Sequence, residues 1–67
     1  MDLTTRELAM ILASLRAIQT RMIRLDRQGI GPTMRAKLIK QANPEHFFAV
    51  EPLEIIEIDE LCDKLNV

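Results

Sequence analysis

Residues 4–29 read TTRELAMILASLRAIQTRMIRLDRQG, and this stretch decides the fold. Thr4 and Glu7 stand at the spacing of a capping box, in which the threonine hydroxyl takes the Glu7 amide and the Glu7 carboxylate reaches back to the cap. Behind the cap, Leu8, Ile11, Leu15, Ile18, Met22 and Leu25 recur at intervals of 3, 4, 3, 4 and 3. That is an unbroken heptad row, which predicts a helix over about residues 5–28 with one apolar seam. Gly29 supplies the stop, because a glycine just past a helix adopts the left-handed cap at low cost.

The first half of this helix departs from a simple amphipathic pattern. Ala9, Met10, Ala13 and Ala17 lie off the seam, where a solvated helix carries charge, and Leu12 widens the stripe. Residues 8–18 are therefore apolar on more than one side. A hairpin covers only one stripe, so Leu8, Ala9, Met10, Leu12, Ala13 and Ala17 are expected to form an oligomer interface, with a homodimer favoured. The second half, with Arg21, Arg24 and Arg27 off the seam, reads as an ordinary wetted face.

Downstream, Gly29-Ile30-Gly31-Pro32 breaks the chain, and Pro32 suits the first position of a second helix over 32–42. Asn43-Pro44 ends it, and Asn43 is expected to cap a short turn that brings Phe47-Phe48 to the bundle end as an aromatic plug. After Glu51-Pro52 a third helix is expected over 53–65, with Ile55, Ile58, Leu61, Cys62 and Leu65 in one arc. The expected architecture is all-α. It is a single domain, 1–67, built as a helical hairpin or three-helix unit in an oligomeric bundle. Leu8, Ile11, Leu15 and Ile18 would pack antiparallel against Ile58, Leu61 and Leu65.

The 67 residues contain no Trp or Tyr and only two Phe, so the core must be Leu, Ile, Met and Ala, mostly helix formers. A chain this short usually needs a staple. Cys62 is the single cysteine and His46 the single histidine, which excludes an internal disulfide and leaves no Cys/His cluster for a structural metal. Neither metal nor cofactor is expected, and oligomerisation is the staple that remains. The opening residues carry no basic segment followed by an apolar one, and no apolar run spans a bilayer, so the expected location is cytoplasmic with no membrane partner.

Charge is divided along the chain. Residues 1–42 hold eight Arg and Lys against three acids, whereas residues 43–67 hold one Lys against seven acids. Such a split fits a nucleic-acid surface in the first half, or two halves that pack on each other or on a second copy. The second reading is preferred, because antiparallel packing brings the halves together.

Three chemical readings follow. Segment 29–42 can be read as part of a small DNA-binding regulator, with Thr33, Arg35, Lys37 and Lys40 offered to a groove. No aromatic residue is interleaved with these cations for base stacking. Alternatively, Gly29–Thr33 opens a helix whose free amides could hold an anion beside Arg27 or Arg35. The Gly-Lys-Ser/Thr ending of a P-loop is absent. Catalysis is the weakest reading. Cys62 sits among Asp59, Glu60 and Asp63, which disfavour a thiolate, and on the apolar arc, where a core cysteine is expected. His46 has no nucleophile or ligand set beside it.

Two segments resemble a known pattern. Leu8-Ala9-Met10-Ile11-Leu12-Ala13-Ser14-Leu15-Arg16 followed by Gln19 resembles an "ATILAALR…Q" opening. Glu51-Pro52-Leu53 with Glu57-Ile58-Asp59-Glu60-Leu61-Cys62-Asp63-Lys64-Leu65-Asn66 resembles an "EPL…EEIDELCERLN" ending. Both look like the ends of a group of small uncharacterised open reading frames from phages and bacteria, and the resemblance covers about half of the chain. Where that pattern has Ser after Pro-Leu, this chain has Glu54. The resemblance implies no activity and no site residue. A phage or mobile-element origin implies an accessory role directed at the host.

The expected function is thus a non-enzymatic interaction protein that binds a host protein or a small anionic ligand, with nucleic acid the less favoured partner. Its surface would combine Met10, Met22 and Met34 with Arg21, Arg24 and Arg27, joined by Arg35 and Lys37.

Overall fold

The computed structural model describes residues 2–66, so Met1 and Val67 of the expected domain lie outside it. Three helices follow in order: α1, Thr5–Arg27; α2, Pro32–Ala42; and α3, Ile55–Leu65. No strand occurs among the described residues, and the fold is all-α. No helix is long and apolar enough to cross a membrane.

The ends of α1 form as the sequence specifies. The Glu7 amide donates to Thr4 Oγ1 at 3.1 Å, and the Thr4 amide donates to Glu7 Oε1 at 2.9 Å. At the other end Gly29 takes φ 82°, its amide donates to the Asp26 carbonyl at 2.9 Å, and the Ile30 amide donates to the Leu25 carbonyl at 3.1 Å. This pair of bonds is a Schellman cap, which needs the left-handed residue that only glycine supplies cheaply. Gly31 then caps α2, with Pro32 in its first turn.

Two expectations about the connection to α3 are corrected. Asn43 does not cap the following turn with its side chain. Its Nδ2 donates back to the Ile39 carbonyl at 3.1 Å and closes the end of α2 instead. The third helix starts at Ile55 rather than Leu53, because Glu54 is its N-cap and the Glu54 amide donates to Glu57 Oε1 at 2.9 Å.

The helices meet in a small core of Met22 from α1, Ile39 from α2, and Ile58 and Cys62 from α3. Leu12, Leu15, Ile18, Ile55 and Phe47 pack around it. The buried cysteine is the one expected, whereas Phe48 is 88% exposed and only Phe47 plugs the bundle. α3 runs antiparallel to α1: Arg16 meets Asp59, and further along α1 Gln19 meets the backbone of Ile55.

The contact seam on α1 keeps Leu15, Ile18 and Met22 of the expected row and widens on one side. Leu12, Leu15, Gln19 and Met22 face the other helices, while Ile11 stands 36% exposed at the stripe's edge. Gln19 joins the seam. Its Nε2 donates to the Ile55 carbonyl at 3.0 Å and its Oε1 accepts from Arg16 at 2.8 Å, so a polar residue is drawn into the interface with its bonds satisfied. On α3 the expected Ile58 and Cys62 are fully buried, while Leu61 and Leu65 are only half-buried.

Met22→Ala should therefore cost roughly 2–5 kcal/mol, the range for emptying a filled core position. Ile11→Ala should cost about 1 kcal/mol or less, as at a surface position. Urea unfolding followed by far-UV circular dichroism checks both; equal losses would put Ile11 back in the core.

Candidate interaction surface

The cations divide into those that hold the fold together and those that do not. Arg16 Nη1 lies 2.7 Å from Asp59 Oδ1, Arg35 Nη2 lies 3.2 Å from Glu54 Oε2, and Lys40 Nζ lies 2.8 Å from Glu51 Oε1. Each of these pairs joins the basic first part of the chain to the acidic last part. The charge division thus serves, at least in part, to bring the two parts together.

Arg35 requires a correction. It was expected on the surface as an anion or DNA contact, but its side chain is only 8% exposed. Nη1 donates to Asp26 Oδ1 at 3.0 Å and to the Ile30 carbonyl at 2.8 Å, while Nη2 reaches Glu54. Nε is buried and without a hydrogen-bond partner. A guanidinium so engaged has no face left for a ligand. Sequence spacing gave no sign of this, because Asp26 and Glu54 lie far apart in the chain on either side of it.

Arg21, Arg24, Arg27 and Lys37 are exposed and make no ion pair among the described residues. The three arginines follow one another at intervals of three on the last turns of α1, so they fan across about 120° of its outer surface. Lys37 stands apart from them. It lines a concavity of about 530 Å³ with Thr33, Lys40, Phe48 and Glu51, and none of the three arginines contributes to it.

The expected oligomer residues also divide. Ala9, Met10, Ala13 and Ala17 are exposed, with Met10 at 69%. Leu8 and Leu12 are half-buried, and Leu12 packs on the core. Leu12 therefore belongs to the intramolecular contact. Of the three methionines expected on one binding surface, Met10 and Met34 are exposed and Met22 is fully buried.

Most carboxylates have structural tasks. Glu7 is held below its ordinary pKa by the bonds from the Thr4 backbone and hydroxyl. Asp59 is held below its own by the hydrogen bond from Arg16, which in turn raises the arginine. Asp26, Glu51 and Glu54 take the other ion pairs, and Glu57 caps α3. No group of three or more His, Cys, Asp and Glu side chains stands together as a metal site among the described residues.

Comparison with protein-family models, curated proteins and solved structures finds no match for this chain.

Two outcomes follow from the ion pairs. Arg35→Ala should destabilise by about 3 kcal/mol, the low end for breaking a buried pair because Asp26 and Glu54 keep some hydration. Arg35→Lys should recover only part of this loss, since one ammonium cannot span three acceptors; chemical denaturation measures both. Glu7 and Asp59 stay ionised to lower pH folded than unfolded, so their contribution is present above the unfolded carboxylate value of about 4 and is lost as pH falls through the folded value. Thermal melts should hold steady from about pH 7 to 5 and decline only in the acid range below about pH 4. A decline already complete at pH 5 would contradict this.

Proposed function

We propose that this protein is a non-enzymatic interaction protein, a host-directed accessory factor of a phage or mobile element, that binds an acidic surface of a partner protein. The observation that carries the reading is the row Arg21, Arg24 and Arg27, exposed and unclaimed by the fold while Arg16, Arg35 and Lys40 are consumed by it. The accessory role rests on the resemblance of the two chain ends to small phage and bacterial reading frames.

The shape of the cationic surface favours a protein over a small anion. Small ligands are held in concavities where donors converge. Three guanidiniums fanned over a single helix diverge, and a convex ridge of this kind matches a broad acidic patch. Arginine suits it, because its planar fork takes carboxylates two oxygens at a time. The DNA-binding alternative loses its main residues, since Arg35 is enclosed and Lys40 is paired with Glu51. A catalytic role gains no support from Cys62, which the core encloses.

Fluorescence anisotropy with an acidic peptide, a nucleoside triphosphate and a short DNA duplex at low and moderate salt provides the test. The peptide should bind best, and Arg24→Glu with Arg27→Glu should weaken it at least about tenfold with helicity retained. Tightest binding of duplex DNA, lost in Lys37→Glu, would overturn the reading in favour of a nucleic-acid binder. Saturable binding of the triphosphate alone would overturn it in favour of a small-anion binder.

A further inference from the structure

A second row runs along α1 beside the one that the fold uses. Glu7, Met10, Ser14, Ala17, Arg21 and Arg24 recur at intervals of 3, 4, 3, 4 and 3, the same rhythm as the apolar seam, and all six are exposed. α3 occupies the side of α1 that carries Leu12, Leu15, Gln19 and Met22. The second row lies on a different side of the helix, and none of its six residues is buried by another helix among the described residues.

The row is self-complementary in only one direction. Laid antiparallel on a copy of itself with Ser14 facing Ser14, Glu7 comes level with Arg21 of the copy, and Met10 falls within one residue of level with Ala17. Both contacts then occur twice by symmetry, as an isologous interface requires. A parallel arrangement would place Glu7 on Glu7 and Arg21 on Arg21, and like charges face to face are unfavourable. Ser14 and Ala17 are small enough for two helices to approach closely at the centre. Leu3, Thr4, Arg6, Glu7, Met10 and Ile11 line a shallow hollow of about 600 Å³ at the amino end of α1, where the arginine end of a second α1 would lie.

We propose that this chain forms an antiparallel homodimer through that row, with its twofold axis at Ser14 and reciprocal Glu7–Arg21 ion pairs. The interface includes Met10 and Ala17 and leaves Leu8 and Leu12 to the fold. Its apolar content is small and Arg6 stands near the incoming arginines, so the dimer is weak. It is of the transient kind that dissociates on dilution. Arg21 and Arg24 belong both to this row and to the cationic fan, so a second copy and an acidic partner compete for them; the test of the dimer uses this chain alone.

Sedimentation equilibrium of the full chain gives the association constant. Arg21→Glu should weaken it about tenfold by placing two carboxylates together. Glu7→Gln should weaken it less, because glutamine keeps the helix cap while removing the charge. Orientation is read by mild oxidation of cysteine variants. A mixture of Met10→Cys and Ala17→Cys chains should form a mixed disulfide-linked dimer, while neither variant crosslinks efficiently with itself. Preferential self-crosslinking of Met10→Cys would show a parallel pair and overturn the proposal. A monomer at several hundred micromolar with no mixed crosslink would overturn it equally, whatever the acidic peptide does.

Discussion

A single buried cation sets the arrangement of the three helices. Arg35 reaches the end of α1 through Asp26, the inter-helix turn through the Ile30 carbonyl and the start of α3 through Glu54. Among the described residues no other side chain hydrogen-bonds to all three parts. Its cost is considerable, since a guanidinium is withdrawn from water with Nε left unpartnered. What it provides is orientation. A core of four buried apolar side chains, Met22, Ile39, Ile58 and Cys62, tolerates sliding, whereas a planar cation with three acceptors fixed around it does not. The role of Glu54 follows. As N-cap of α3 it stands where the resembled pattern carries serine, and a carboxylate there can reach the guanidinium as a hydroxyl cannot.

Helix lengths determine what remains exposed. α1 has 23 residues and its partners 11 each, so about 34 Å of helix is served by two neighbours of about 16 Å. Short helices cannot clothe a long one on every side. The part of α1 left over presents small and apolar residues toward its start and arginines toward its end. That gradient along one surface makes both proposed contacts possible without a second domain.

Much of this was legible in the sequence because the signals were local. The Thr4–Glu7 box, the Gly29 stop, Pro32 at the head of α2 and the burial of Cys62 all follow from residues within a turn or two of one another. Contacts made across the chain were not legible. Gln19 looks like a surface residue until Arg16 and the Ile55 carbonyl satisfy it, and the seam takes it in while Ile11 stays at the exposed edge. Arg35 looked like a ligand contact for the same reason: its two carboxylate acceptors are 9 and 19 residues away. The exposed arginines of α1 were readable, being set by periodicity alone.

Cys62 carries a further consequence. It is the only thiol in the chain and lies sealed at the junction of α3 with the core. A reagent in solution can reach its sulfur only when α3 lifts away or the whole chain opens. The protein thus contains its own clock for opening, and the labelling rate at this one atom reports the fraction of time that the third helix spends undocked.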